Sequence, residues 1–246
     1  MSPVIEISDL HDPALQIYSN LTKGDPNKTN SVFLAESEKV IRYALKAGCR
    51  PVSFLMERQD LDALSPLVAP LGVPVYTGSR EQIRTLTGYV LNRGFLCAME
   101  RPRMPKQSSV LCSTSRIAVL RNITDPTDLG AVFRSAAALG IDGILIGEGC
   151  CDPLYRRAVR VSMGTVFQVP WTYLRNPIPE DFQVITISAS PTGIPIDAAF
   201  WRSAEKLVII LDPKAGADAY TIGQRPDTEE LNLSAASAVL FWMLRK

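Results

Sequence analysis

The succession of apolar segments predicts an α/β protein whose main element is a parallel sheet. From residue 117 onward, short runs of β-branched residues alternate with helical segments, a pattern typical of a parallel sheet covered by helices on both faces. The stretch 101–110, rich in proline, serine and basic residues, interrupts the apolar pattern and is interpreted as a linker. Together these observations predict a smaller α/β domain over 1–105 and the main sheet domain over 106–246.

The first domain is predicted to contain short alternating elements. Apolar residues recur at helical spacing over 37–47, and Gly48 follows as a stop signal. The runs 52–56 and 73–76 are predicted to be buried strands, and 80–86 is predicted to be a helix.

The second domain is predicted to be more regular. Its runs of β-branched residues predict strands. Three amphipathic or apolar segments, two between strands and one after the last strand, predict helices. The predicted strands are 117–120, 143–147, 166–171, 183–188 and 206–211, and the predicted helices are 125–139, 152–163 and 231–245.

Composition argues against several classes of protein. No window reaches about 18 consecutive apolar residues, so no membrane span is expected. The opening segment lacks the basic and apolar regions of a signal peptide, which favours a cytoplasmic location. The five cysteines are scattered without CxxC spacing, which indicates small buried thiols in a reducing compartment and predicts no metal site.

A single histidine restricts the chemistry that the chain can perform. His11 lies in the polar opening segment and is expected at the surface. Catalysis by Ser-His-Asp or Cys-His groups requires an imidazole beside the nucleophile. A reaction catalysed by this chain is therefore expected to need little proton transfer.

The strand, loop and helix over 117–140 form the first segment that indicates a site. Asp125 fits an N-cap and Pro126 the first helical position. Gly130 and Arg134 are four residues apart and share a helix face near this N-terminus. A helix N-terminus offers free N–H groups to a phosphate, and arginine can bind the anion through a bidentate fork. An exposed arginine on an amphipathic helix is an equally good explanation.

Three arginines give the segment 151–171 a basic character. Arg156 and Arg160 are four residues apart on one predicted helix face, and Arg157 is next to Arg156. Long cations on one face suit contact with a phosphate backbone. A solvated surface is the alternative interpretation.

The predicted C-terminal helix mixes small and large apolar residues and carries few charges. A helix that is apolar on nearly all sides is buried in a domain core or in a subunit interface. Asn232 and Ser234, near its start, either cap the helix or contact a ligand.

These three segments, in this order, resemble the three signature motifs of the SpoU (TrmH-like) family in the SPOUT superfamily. The motifs are DPTDLGAVFRSAAALG (125–140), RVSMGTVFQVP (160–170) and LNLSAASA (231–238). The resemblance covers roughly residues 117–245. FLAESEKVIRYAL (33–45) more weakly resembles the start of the family's ribosomal-protein-like RNA substrate-binding domain.

The resemblance implies a fold, a reaction and a set of site residues. The parallel sheet is expected to thread a C-terminal trefoil knot, a rare exception to unknotted connectivity. The expected activity is S-adenosylmethionine-dependent methylation of a ribose 2′-hydroxyl in tRNA or rRNA, performed by a homodimer. The residues expected in the catalytic set are Arg134, Asp128 and Asn232, those at the cofactor are Leu211, Asp212, Ile222 and Leu231, and those expected on RNA are Arg156, Arg157 and Arg160.

Arg134 matches the family's catalytic arginine, and two roles for it are open. A sulfonium is already a good methyl donor, so alignment of the reacting atoms can supply much of the rate. This favours Arg134 as a clamp that holds a phosphate and orients the 2′-hydroxyl. A role as a base that acts through the RNA phosphate is the alternative.

The chain departs from the family pattern mainly at two places, and it also carries Glu230 where serine is usual. Asp128 stands where asparagine is usual; an ionised carboxylate only accepts hydrogen bonds and repels phosphate, although it could accept the hydroxyl proton. Between Leu211 and Ile222, the sequence DPKAGADAYT replaces a longer glycine-rich turn, and Lys214 stands near the place of a glutamate. A SpoU-like RNA-binding protein that has lost methyl transfer is therefore the alternative function.

Overall fold

A computed structural model describes residues 2–19, 21, 31–91, 95–112, 114–188, 193–224 and 229–246. The chain divides into two compact units. The first comprises Met1–Pro102 with Leu154–Arg160, and the second comprises Arg103–Pro153 with Val161–Lys246. The segment Leu154–Arg160, which the sequence assigns to the second domain, belongs to the first unit.

The first unit contains a five-stranded mixed sheet. Strands β1, β3 and β4 are parallel, and β5 runs antiparallel to β3 and β2, in the order β1-β4-β3-β5-β2. The strands are β1 Val4–Glu6, β2 Val32–Glu36, β3 Pro51–Glu57, β4 Val75–Gly78 and β5 Phe95–Glu100, and the helices are α1 Glu38–Lys46, α2 Leu61–Val68 and α3 Arg80–Thr87.

The core of the first unit contains one fully buried tyrosine whose hydroxyl is paired. Tyr18 is the last residue of a short 3-10 helix and packs among apolar side chains such as Leu55 and Leu96. Its hydroxyl shares a 2.8 Å hydrogen bond with Ser53 and accepts one from the amide of Ala98 at 3.3 Å. These bonds satisfy the polar tip of a side chain that otherwise contributes apolar area.

The second unit contains a seven-stranded sheet in which every described strand pair is parallel. The order is β10-β12-β9-β11-β6-β7-β8. Its central strands, β6 and β11, are buried at every residue because helices cover the sheet. The strands are β6 Arg116–Leu120, β7 Gly143–Ile146, β8 Trp171–Tyr173, β9 Gln183–Ile187, β10 Ile194–Pro195, β11 Leu207–Leu211 and β12 Tyr220–Thr221.

Five α-helices within the described residues accompany these strands. They are α4 Gln107–Leu111, α5 Pro126–Ala138, α6 Arg156–Val161, which crosses the boundary between the units, α7 Ala198–Arg202 and α8 Leu233–Leu244. The predicted helices over 125–139 and 231–245 are confirmed as α5 and α8, which pack against each other. No described helix combines the length and apolar character that crossing a bilayer requires.

The segment from 152 to 171 differs from the prediction. The predicted helix over 152–163 contains only α6, and the predicted strand over 166–171 is wrong. A left-handed backbone at Met163 and Gly164 leads instead into a 3-10 helix, Thr165–Phe167. The indole N–H of Trp171 donates to the carbonyl oxygen of Val166 at 3.0 Å, which closes this loop before β8 begins.

The predicted linker is partly structured. Residues 101–106 have no regular secondary structure, but the second half of the predicted linker forms α4. Gln107, at the start of α4, is buried and accepts hydrogen bonds from the amides of Arg175 and Asn176 at 2.9 and 3.0 Å. Gln107, one of the polar residues of this stretch, therefore has a structural role, because its side chain binds backbone amides of the segment after β8.

Candidate functional site

The candidate site lies at the carboxyl edge of the parallel sheet in the second unit. Strands β6, β7 and β11 are neighbours and parallel, so their carboxyl ends meet at one edge. Ligands of open α/β sheets bind in the loops beyond this edge. The loop after β6 leads into α5, and the loop after β11 contains Asp212.

The first turn of α5 is held by its own cap. The Asp125 carboxylate accepts a hydrogen bond from the amide of Thr127 at 2.7 Å, and Pro126 occupies the first helical position. The sequence predicted both roles, and both are confirmed. Asp128, in the same turn, is half-buried and points toward α8.

A hydrogen bond joins the first turns of α5 and α8. The Ser234 hydroxyl donates to Asp128 Oδ1 at 3.1 Å. Asn232 is the N-cap of α8, and its Oδ1 accepts from the amide of Ala235 at 2.8 Å. Capping uses the oxygen of Asn232, while its amide NH2 group has no partner within the described residues. Two residues that are 104 positions apart in the sequence, Asp128 and Asn232, are thus brought to one place.

Asn122 connects three loops at this edge, and the sequence analysis did not identify it. Its Nδ2 donates to Asp212 Oδ1 at 2.9 Å, and its amide donates to the carbonyl oxygen of Glu148 at 2.9 Å. The residue adopts a left-handed backbone with φ 55°. A Cβ on Gly149 would lie 2.5 Å from Asn122 Oδ1, so glycine is required there. The available signal was an asparagine, which tolerates this conformation, two residues after the end of a buried strand.

Asp212 organises the turn after β11, where the sequence departs from the expected glycine-rich segment. Its Oδ1 accepts from the amide of Lys214 at 3.0 Å as well as from Asn122, and its carbonyl accepts from the amide of Ala215 at 3.0 Å. The segment after β11 is therefore a hydrogen-bonded Asx-type turn. Lys214 is exposed.

The other predicted cofactor residues are less closely grouped by direct contacts. Leu211 is buried, and its carbonyl oxygen accepts from the amide of Arg121 at 3.0 Å. Ile222 is half-buried, and Leu231 is exposed, with its amide bonded to Gln224 Oε1 at 2.8 Å. Residues 225–228, between them, lie outside the described part of the chain.

Arg134 is exposed on α5, about two turns from the helix start. It is the ninth residue of the helix, about 12 Å along the axis from Pro126. Within the described chain its guanidinium makes no hydrogen bond or ion pair. Gly130, four residues before Arg134, is buried.

The prediction that Arg156 faces RNA is corrected by its contacts within the first unit. Its guanidinium forms an ion pair with Glu36 at 3.1 Å, and the two side chains are 16% and 4% exposed. It also bonds to the Tyr89 hydroxyl at 2.9 Å and lies 4.6 Å from the centre of that ring. Burial, the largest cause, and the Glu36 carboxylate raise the pKa of Tyr89, so its hydroxyl stays protonated. Arg156 is therefore internal, whereas Arg157 is exposed and Arg160 is half-exposed.

The five cysteines are free, and only Cys49 and Cys97 are buried; Cys112, predicted to be buried, is exposed. Cys150 and Cys151 lie near the candidate site, where Cys150 Sγ donates to the carbonyl oxygen of Leu120 at 3.2 Å. Burial raises the pKa of Cys150 and raises that of Cys151 to about 12. Both thiols therefore stay protonated at neutral pH and are poor nucleophiles.

The parallel sheet, with polar groups collected at its carboxyl edge, defines an α/β protein of the ligand-binding type. The model of the SpoU rRNA methylase family matches residues 115–211. A Mycobacterium bovis protein described as an uncharacterized tRNA/rRNA methyltransferase is 34% identical over 172 residues, which cover 68% of this chain and 60% of that protein. The chain belongs to the SpoU methylase family. It spans about 60% of the length of the mycobacterial relatives.

More distant relatives are similar over almost the whole chain. The Bacillus subtilis 23S rRNA (guanosine(2553)-2'-O)-methyltransferase RlmP is 23% identical over 91% of this chain and 92% of its own. An AdoMet-bound rRNA methyltransferase from Sinorhizobium meliloti has a TM-score of 0.76 at 20% identity, covering 98% of this chain and 97% of its own. The SpoU methyltransferase AviRb from Streptomyces viridochromogenes, in complex with AdoMet, has a TM-score of 0.73 at 17% identity, with coverage of 95% and 97%. At these identities the structures show a common fold.

The contacts of Arg156 predict different effects for two adjacent arginines. Arg156→Ala leaves the buried Glu36 carboxylate without its cation, which we expect to cost about 3 kcal/mol of unfolding free energy. Thermal denaturation followed by circular dichroism should show the midpoint falling by roughly 6–12 °C. Arg157→Ala, the matched control, should shift it by less than about 2 °C because that side chain is exposed. Equal midpoints for the two variants would contradict the assignment.

Proposed function

We propose that this protein methylates a ribose 2′-hydroxyl in tRNA or rRNA, with S-adenosylmethionine as the methyl donor. The observation that carries the proposal is the junction of the first turns of α5 and α8 at the sheet's carboxyl edge, with Asp128, Ser234 and Asn232 together. Family membership supports methyl transfer to RNA. The description of RlmP as a 2'-O-methyltransferase supports the ribose as the target.

The donor set beyond β11 fits the proposed cofactor. S-adenosylmethionine carries a cationic sulfonium and an ammonium, together with an adenosine. Asp212 uses Oδ1 in the turn, while Oδ2 has no partner in the described chain and can accept from a cationic or hydroxyl group. Leu211, Ile222 and Leu231 would supply apolar contact for the adenosine. When bound, the cofactor supplies an electrophilic methyl group.

The chain's own residues then position the hydroxyl. Arg134 would bind an RNA phosphate through two N–H groups and hold the 2′-oxygen in line with the methyl group. Asp128 accepts from Ser234 through Oδ1, which leaves Oδ2 able to accept the 2′-hydroxyl proton. The amide NH2 of Asn232 can donate to the ribose or to the phosphate. No step requires a histidine.

RNA would also contact surfaces outside this junction. We propose that Arg157 and Arg160 bind phosphates without base preference and that the first unit serves as the RNA substrate-binding domain. We further propose that the chain after β11 threads the trefoil knot of the family. The strand order supports this, because β12 lies beyond β9 while α8 returns to α5.

A homodimer is proposed from the exposed face of α8. One face of this helix is buried against the second unit, but Trp242 is 56% and Val239 is 38% exposed. Apolar residues of this size, exposed on one helix, are typical of a subunit interface. Multi-angle light scattering at micromolar concentration should report twice the mass of the 27.0 kDa chain. Trp242→Glu should shift the mass toward one chain, and a monomeric parent would contradict the proposal.

The proposed role of Arg134 predicts different results for two substitutions. Arg134→Ala should abolish transfer without changing the thermal midpoint by more than a few degrees, since the side chain is exposed. Arg134→Lys keeps the charge but loses the planar fork, and should retain RNA binding while the rate falls about a hundredfold, or about 3 kcal/mol. The assay is incorporation of radiolabelled methyl groups into RNA from cells that lack the protein, followed by nucleoside analysis.

Two outcomes would redirect this proposal. An Arg134→Ala variant that is as fast as the parent would show that the active site lies elsewhere. A parent chain that binds RNA but transfers no methyl group would favour the alternative, an RNA-binding protein whose altered turn at Asp212 no longer supports catalysis.

A further inference from the structure

The first unit contains a cavity that the proposed reaction does not use. It has a volume of about 530 Å³ and lies at the carboxyl ends of β3 and β4. Cavities of this size are typical of small-molecule and nucleoside sites. Its lining consists of Glu57, Arg58, Gln59, Gly78, Ser79 and Arg80.

The acceptor in this cavity is a buried carboxylate that is only partly paired. Glu57 is 7% exposed. Its Oε2 accepts from Gln59 Nε2 at 2.8 Å, whereas Oε1 lies 4.0 Å from Arg80 Nε, beyond hydrogen-bond distance. Oε1 accepts no hydrogen bond from any described residue. Because Glu57 lines the cavity, this oxygen can still accept a hydrogen bond from a ligand that brings N–H groups.

The remaining polar groups of the cavity divide into two kinds. Arg58 and Arg80 are more than half exposed, so their planar guanidinium groups are available to stack on a base or to contact phosphate. Ser79 is already occupied, because it and Gln82 bond to each other's backbone amides in a capping box. The groups that can still contact a ligand are therefore the Glu57 carboxylate and the planes of the two guanidinium groups, of which that of Arg58 also pairs with Glu6.

We propose that this cavity binds an unpaired guanine of the RNA substrate. Guanine is the base whose Watson–Crick edge places two donors, N1–H and N2–H2, side by side, which matches the two oxygens of a carboxylate. Adenine and cytosine place a ring acceptor next to their amino group, and uracil places carbonyl oxygens on both sides of its N–H, so each would set an acceptor against Glu57. Specific RNA recognition typically reads such unstacked bases on this edge and stacks them on aromatic or arginine planes. The inference rests on the proposed function, because it assumes an RNA substrate.

Mononucleotide binding to the full chain, without S-adenosylmethionine, tests this assignment. Saturation-transfer NMR titrations with the 5′-monophosphates of guanosine, adenosine, cytidine and uridine would give four dissociation constants for each protein. We expect the parent to prefer the guanosine nucleotide by about tenfold or more. Glu57→Gln, which presents a donor to N1–H, should abolish the preference, and Arg80→Ala should weaken all four nucleotides alike. Glu6→Gln, a matched change of an exposed carboxylate that pairs with Arg58, should leave the preference intact.

The outcomes separate this inference from the proposed reaction. Glu57→Asp keeps the carboxylate and should retain a weaker guanine preference, which distinguishes recognition from a folding defect. A parent that binds no nucleotide, or binds all four equally, overturns the guanine assignment, as does an unchanged preference in Glu57→Gln. If the chain nevertheless methylates RNA, the loss of the guanine assignment would not contradict the proposed reaction. A guanine preference in a chain that transfers no methyl group would support the guanine site and contradict the proposed reaction.

Discussion

The position of the C-terminal helix depends on one buried cation. Arg116, at the start of β6, is 1% exposed. Its guanidinium donates to the carbonyl oxygen of Leu244 at the end of α8 at 2.9 Å and to that of Arg202 at the end of α7 at 2.8 Å. Two further bonds reach Ser115 and Glu205. The last carbonyls of a helix have no partner within it and carry the negative end of its dipole, so a guanidinium satisfies both.

This interaction has consequences at the opposite edge of the sheet. Arg116 lies at the amino end of β6, and α8 runs about 18 Å from its start at Leu233 to the bound carbonyl. With that end held, the first turn of α8 meets the first turn of α5, where Ser234 bonds to Asp128. The candidate site is therefore positioned by a charge that is remote from it. Asn122 completes the arrangement because it ties the loops after β6, β7 and β11 together.

Elements with complete local signals could be predicted from the sequence. α5 has a capping aspartate, a proline at its first position and an apolar stripe, and its bounds agree with the prediction within one residue. The strand expected over 166–171 fails because its β-branched run follows a left-handed turn at Met163 and Gly164, and the indole of Trp171 then bonds within the loop. Arg156 was assigned to RNA because helical spacing does not reveal its long-range partner, Glu36. Asn122 was missed because its role is to connect loops that are distant in sequence.

The altered turn after β11 is the feature on which the proposed activity depends most. Asp212 closes this turn with one oxygen and leaves the other for a ligand, whereas the family pattern has a longer glycine-rich segment. Isothermal titration calorimetry of the full chain with S-adenosylmethionine tests directly whether the turn still forms a cofactor site. We expect saturable binding of one cofactor per chain, weakened at least tenfold, or about 1.4 kcal/mol, by Asp212→Ala. An absence of binding heat over a range of temperatures, with no stabilisation of the chain against heat, would contradict a methyl-transfer site at this edge.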